Sequence, residues 1–415
     1  MSKMIRMLGV FDYNTSTGFG TVSKNIVGEL RKHFRENLQL DIIALNYFGE
    51  PYNEDDNTYV VSGKLNDPTQ DDFGRHFYLN ILKNSNEYDI LFLINDLGAV
   101  VPIIEILDSI KREKKESNQK VFKSIYYFPL DCTGFYEILK GLEFFDTLVT
   151  FTEFARKEII NARPELKSKL KVINHGTNTT DFRPIQDNID FNLWRNEFLG
   201  ENADKFIITN LNRNQPRKDI PATIFAFREA KKMWDKNLPE PFLYLHMRAK
   251  DPMGYDLKAI FWQLDLVEGK DYKLLPDEWE VNLPSVEEVN MVYNASNLYL
   301  TTTLAEGWGL GITEAMATMT PIICPKNTSL SEMTNFGERA FVYETDYPVV
   351  NTADNIIRYQ GSIYDVADKI LEVANLYYND NQELTKKKEA AYNWASKLTW
   401  KELSKRWIEY IKDLS

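Results

Sequence analysis

Along almost the whole chain, short apolar runs alternate with helical patterns, and this restricts the fold more than any other feature. In the first part the runs MIRMLGVF (residues 4–11), LDIIALNYF (40–48), YDILFLIND (88–96), VFKSIYYFPLD (121–131) and DTLVTFTEF (146–154) have the continuous apolar character of strands buried on both faces. Between several of them lie amphipathic patterns such as TVSKNIVGELRKHF (21–34) and VPIIEILDSIKREKK (101–115). A strand–helix–strand order of this kind builds a parallel α/β sheet. A second series begins at KFIITNLN (205–212) and continues through FLYLHMRA (242–249), YKLLPD (272–277), NLYLTTT (297–303) and TPIICPK (320–326). Its helices include IPATIFAFREAKKMW (220–234) and VEEVNMVYNAS (286–296). At 415 residues the chain exceeds one comfortable core. Two doubly wound α/β domains facing a cleft are therefore expected, with boundaries at 1–184, 185–392 and a closing helical segment at 393–415.

Charge and cysteine usage narrow the function. Lys and Arg total 49 against 61 Asp and Glu, a formal charge of −12, which argues against a protein whose main task is gripping nucleic acid. Cys132 and Cys324 lie far apart and read as reduced thiols. The opening MSKMIRMLGVF passes straight into polar DYNTSTG, so it reads as a first strand rather than a leader. No run approaches the apolar length of a membrane span. A cytoplasmic location without integral membrane association is expected.

Three loops carry candidate chemistry. In DYNTSTGFGTVSKNI (12–26), Gly18 and Gly20 sit between a strand and a helix, where backbone approaches a ligand closely. As a dinucleotide fingerprint the stretch fails at Ser23, and the second strand ends without an acidic residue. A tight turn with no ligand fits equally. In TNLNRNQPRKDIPATIFAF (209–227), Arg213 and Lys218 lie five apart after a strand, with Arg217 beside them. A planar fork and a point charge together suit a diphosphate, although a solvated basic loop is the ordinary outcome for such a run. In TTTLAEGWGLGITEAMAT (301–318), Gly309, Leu310 and Gly311 would aim free N–H groups and a helix N-terminus at an anion, flanked by Glu306 and Glu314. Helix capping would account for Glu314 alone, but not for Glu306.

The stretch EGWGLGITEAMA (306–317) resembles the E-x7-E signature of retaining glycosyltransferases of the GT-B fold, family four (glycosyltransferase group 1) type. The resemblance extends to the Arg213–Lys218 spacing, to VINHGTNTTDFRP (172–184) at the interdomain junction, to the GFG of the first loop and to the closing SKLTWKELSKRWIEYIKD (396–413). It implies two Rossmann-like domains, an acceptor domain first and a nucleotide-sugar domain second, with the last helix crossing back.

That resemblance also implies roles. Arg213 and Lys218 would hold the donor diphosphate, the Gly309–Leu310 backbone a phosphate, Glu314 the ribose and Glu306 the donor sugar, with Gly18 and Gly20 bordering the donor. Retention by front-face displacement needs no protein nucleophile, no cofactor and no metal. Many members carry a His near a mid-domain strand end. Here the place holds Asp131, which either orients sugar or acceptor or caps the next helix. His175 and His246 read as structural. No metal motif stands out: EDD (54–56) falls in a loop and IND (94–96) is a partial echo of Asp-x-Asp. The acceptor is open: glycan, lipid, small molecule or modified nucleic acid, the last disfavoured by the acidic balance. A nucleotide-dependent oxidoreductase and a non-catalytic glycan-binding protein on the same scaffold are the competing expectations.

Overall fold

The computed structural model of the chain describes residues 4–134, 137–186, 188–276, 279, 284–350, 355–379 and 382–414. They form two compact units, Met1–Gly176 with Trp400–Ser415, and Thr177–Thr399. The division therefore falls a few residues away from the expected boundaries at both ends. Residues 177–184 stay with the second unit because Arg183 N–H donates to Asn290 Oδ1 (3.0 Å) and its guanidinium meets Glu287 (3.2 Å). Trp394 stacks on Trp308 inside that unit, so the closing helix of the first unit is Trp400–Leu414 rather than everything after 392.

The first unit is built on a sheet of β1 (Ile5–Asp12), β2 (Leu38–Leu45), β3 (Tyr52–Asp55), β4 (Thr58–Ser62), β5 (Ile90–Ile94), β6 (Lys123–Phe128), β7 (Thr147–Thr150) and β8 (Leu170–Val172). Their order is β3-β4-β2-β1-β5-β6-β7-β8, parallel except for the β3–β4 pair. Most core strand positions are buried whichever way they point, as expected for a sheet covered on both faces. The β3–β4 hairpin takes in most of the EDD stretch that reads as a loop in sequence. Its strands are short and mostly polar, so pattern alone does not reveal them. The helix Trp400–Leu414 completes this core: Trp407 packs on Phe92 (ring centroids 5.1 Å) and Tyr127 (4.9 Å), and Arg406 donates to Val172 O (3.0 Å).

The second unit holds β9 (Phe206–Asn210), β10 (Pro241–Leu245), β11 (Tyr272–Leu274), β12 (Leu298–Leu300), β13 (Ile322–Pro325) and β14 (Phe341–Tyr343), in the order β11-β10-β9-β12-β13-β14. All neighbours in it are parallel. Alternate residues serve opposite faces. Phe206, Ile208, Leu243 and Leu245 pack with Ile224, Phe227 and Ile370, while Ile207, Phe242 and Tyr244 pack with Leu199 and Val292. An antiparallel ribbon, β15 (Tyr347–Val350) with β16 (Ile357–Gln360), stands apart from this sheet. The strand order reverses between β9 and β12, and ligands of doubly wound sheets bind beyond the carboxyl ends at such a point.

Candidate functional site

Two loops leave the reversal point, one after β9 and one after β12, and they carry every candidate residue of the second series. The first runs through Arg213 into the turn Pro216–Lys218 and the helix Ile220–Lys232. The second runs from β12 through Glu306 into the helix Leu310–Ala317. The threonine run between them is a brace. Thr302 Oγ1 donates to Asp219 O (2.8 Å) and meets Thr223 Oγ1 (2.7 Å), which accepts from Asn210 Nδ2 (3.0 Å). Thr303 Oγ1 donates to Ala305 O (2.9 Å), and Leu304 N–H to Arg217 O (2.8 Å).

Lys218 and Glu306, 88 residues apart in sequence, form an ion pair between these loops. Glu306 is buried, and burial alone would raise its carboxyl. Lys218 and then Arg217 outweigh that and hold it below the ordinary range, so it is charged at neutral pH. Arg217 Nη1 lies 3.4 Å from Glu306 Oε2 and donates to Ala305 O. Arg213 behaves differently. Its side chain is 62% exposed, and among the described residues its Nε is anchored on buried Asp251 (3.0 Å). The 248–256 loop that supplies Asp251 is laced to Asn214, whose side chain donates to Tyr255 O (2.7 Å) and accepts from Tyr255 N–H (3.0 Å).

The helix Leu310–Ala317 starts at Gly309, whose φ of 102° suits glycine, and no side chain caps it. Its first N–H groups have no acceptor within the helix, so they present an anion site. Glu314 lies beyond the first turn and is therefore no cap. It is half-buried and accepts from Tyr293 Oη (2.8 Å). Burial lifts its carboxyl to about 7 against the lowering effect of that bond. Gly311 lets two hydroxyls approach: a Cβ there would meet Tyr299 Oη at 2.7 Å and Tyr293 Oη at 3.2 Å. Trp308 turns inward, is 3% exposed and stacks on Trp394, anchoring the turn.

The remaining candidates lie in the first unit. Gly18 and Gly20 do not form a loop; they open the helix Gly18–Phe34, and the Gly20 N–H is taken by the Thr17 cap (2.9 Å). Thr17 in turn donates to buried Asp12 (2.5 Å). Asp131 is half-buried in the segment after β6. The EDD stretch lies partly on β3 instead of in a loop, and its acids are engaged: Glu54 accepts from Tyr13 Oη (2.5 Å) and Asp55 takes Arg31 Nε (2.9 Å). His175 is packed against Phe151 (4.1 Å), and burial lowers its imidazole to about 3. His246, lowered by burial to about 4, meets Tyr244 Oη at 2.8 Å. Among the described residues no acid, His or Cys group suits a metal ion, and no helix is long and apolar enough to cross a membrane. Asp251, Tyr293 and Tyr299 are the site residues that sequence motifs do not single out.

No family model matches the chain. A probable sucrose-phosphate synthase of Thermosipho melanesiensis is 24% identical over 245 residues, covering 57% of this chain and 51% of that protein. The chain thus spans about half the length of that curated relative. Among solved structures, Anabaena HepE in complex with UDP-glucose aligns with a TM-score of 0.68 at 14% identity, covering 99% of this chain and 100% of that one. Sucrose-phosphate synthase from Thermosynechococcus elongatus aligns with a TM-score of 0.70 at 13% identity, covering 99% of each chain. A glycosyltransferase from Rickettsia africae aligns at 0.66 and 14% identity, over 100% of this chain and 99% of that one. The chain has the GT-B fold of these proteins.

Proposed function

We propose that this chain is a retaining glycosyltransferase of the family-four type. It moves a sugar from a nucleoside-diphosphate donor to a hydroxyl-bearing acceptor in the cytoplasm, without a metal ion. The observation that carries the reading is the Lys218–Glu306 pair. It unites the two halves of the motif beside the uncapped helix Leu310–Ala317, at the strand-order reversal of the second unit. The HepE complex with UDP-glucose supports a sugar nucleotide as the donor.

In this mechanism the diphosphate lies over the Gly309–Leu310 turn and is neutralised by Lys218 and the exposed fork of Arg213, whose free nitrogens are aimed by Asp251. Glu314 takes the ribose hydroxyls and Glu306 those of the donor sugar. The bond from the anomeric carbon to the diphosphate oxygen breaks, and the acceptor oxygen bonds that carbon from the same face. The acceptor proton passes to the departing phosphate oxygen. Lys218, Arg213 and the helix N-terminus stabilise the charge that develops there. The acceptor belongs to the first unit, where Asp131 orients sugar or acceptor, and Gly18 and Gly20 keep the donor role that the resemblance implies.

The test is a panel of sugar nucleotides headed by UDP-glucose, scored by nucleoside diphosphate released. Turnover of at least one donor is expected, with Glu306→Gln and Lys218→Ala each lowering it about a hundredfold or more in a folded protein. Nicotinamide dinucleotides should give no binding signal. Wild-type rates in either variant would remove the assigned roles.

A further inference from the structure

Arg217 stands outside the Arg213–Lys218 pair that the diphosphate requires, yet its guanidinium is the second cation on Glu306. It is turned toward its own protein. Nη1 donates to Ala305 O and lies 3.4 Å from Glu306 Oε2, and its main-chain oxygen accepts from Leu304 N–H (2.8 Å) and Thr303 Oγ1 (3.3 Å). Its side chain is 28% exposed against 62% for Arg213, which reaches outward. Lys218, by contrast, is a point charge on a flexible stem. It cannot serve Glu306 and an arriving diphosphate equally, because each oxygen it gains on the phosphate weakens its hold on the carboxylate.

We propose that Arg217 is a positioning residue that keeps Glu306 charged and aimed at the donor sugar when the diphosphate draws Lys218 away. This rests on the donor-site reading above. A buried carboxylate left without a cation would protonate or swing out, and Arg217 prevents both. Among the described residues, the groups that face Glu306 include Lys218 and Arg217 from the Pro216–Lys218 turn, Thr303 from its own loop, and Tyr299 from β12. Its main chain is pinned separately, with Glu306 N–H donating to Thr328 Oγ1 (3.1 Å) and Ser329 Oγ to Glu306 O (2.8 Å). With these anchors kept, and with an N–H still offered to Ala305 O, removal of the Arg217 charge acts on the carboxylate rather than on the path of the loop.

The test compares Arg217→Gln and Arg217→Lys with wild type, using UDP-glucose or the fastest donor of the panel. Glutamine keeps an N–H for Ala305 O but no charge. Arg217→Gln is expected to lower kcat about tenfold or more, leave the affinity for the free nucleoside diphosphate within about threefold, and move the acid limb of kcat upward by about one pH unit. Arg217→Lys restores most of kcat. A tenfold or larger loss of nucleoside diphosphate affinity with kcat kept makes Arg217 a phosphate ligand and overturns the inference. So does an unmoved kcat and acid limb in the folded variant. Titrating the Glu306 carboxyl by carbon NMR in ligand-free wild type and Arg217→Lys and Arg217→Gln variants needs no turnover. If no donor is turned over, the donor-site reading fails, whereas a Glu306 titration that ignores Arg217→Gln sinks the positioning role.

Discussion

Titrating donor affinity between pH 6 and pH 8 tests the role of Glu314. Burial lifts its carboxyl to about 7, although the Tyr293 hydroxyl bond lowers it. Ribose hydroxyls are donors and hold the ionised carboxylate better than the acid, so donor binding is coupled to loss of that proton. Affinity should then weaken by the factor one plus ten to the power of the pKa minus the pH. That factor is about 1.1 at pH 8 and about 11 at pH 6, a tenfold change worth about 1.4 kcal/mol. The assay is calorimetry with UDP-glucose, whose blocked diphosphate lacks the ionisation near pH 6 of a terminal phosphate. Repeating it at pH 7 in buffers of different protonation enthalpy should show about half a proton released per donor bound. Glu314→Gln should flatten the profile, and Tyr293→Phe should move its midpoint upward by removing the bond that lowers the carboxyl. A wild-type affinity constant within twofold over the range, or a slope that survives in Glu314→Gln, refutes the assignment. The raised carboxyl also means that the ligand-free chain binds an extra proton relative to its unfolded state between about pH 4.5 and 7, so its stability from this group falls as pH rises through that window.

Gly311→Ala should push aside the Tyr299 and Tyr293 hydroxyls and weaken donor binding about fivefold or more by calorimetry, while the far-ultraviolet spectrum stays native. Asp251→Asn should leave Arg213 in place but loosely aimed, raising donor KM several-fold with a smaller change in kcat. Glu306 is held below the ordinary carboxylate range, so its stabilising contribution is complete above about pH 4.5 and lost as pH falls through the lowered value. Thermal melts between pH 6 and pH 3 should accordingly show a shallower acid loss in Lys218→Ala than in wild type. Trp407→Ala should destabilise the first unit by about 3–5 kcal/mol and leave nucleoside diphosphate binding by the second within twofold.

The alternation of apolar runs with helix patterns located the main parallel strands of both sheets because strands buried on two faces leave unbroken apolar segments. The polar β3–β4 hairpin and the β15–β16 ribbon left no such trace. Within the site, Arg213, Lys218, Glu306 and Glu314 were legible as charges at fixed spacing on loops after strands. The groups that orient them were not. Asp251 reaches Arg213 from a loop 38 residues on, and Tyr293 reaches Glu314 from a helix 21 residues earlier. Neither distance is written in a local pattern, and a tyrosine on an apolar helix face reads as core. Gly18 and Gly20 show the opposite failure. Their spacing suggests an open turn, but the Thr17 cap draws the helix start back over both.

The helix Trp400–Leu414 supplies Trp407 and Ile411 to a core whose other walls are encoded in the first 176 residues. During synthesis, the ribosome delivers that wedge only after the entire intervening unit has emerged. Until then Phe92 and Tyr127 face a gap, and the sheet of the first unit waits, unsealed, for the helix Trp400–Leu414. The second unit is thus expected to mature before the unit that precedes it in the sequence.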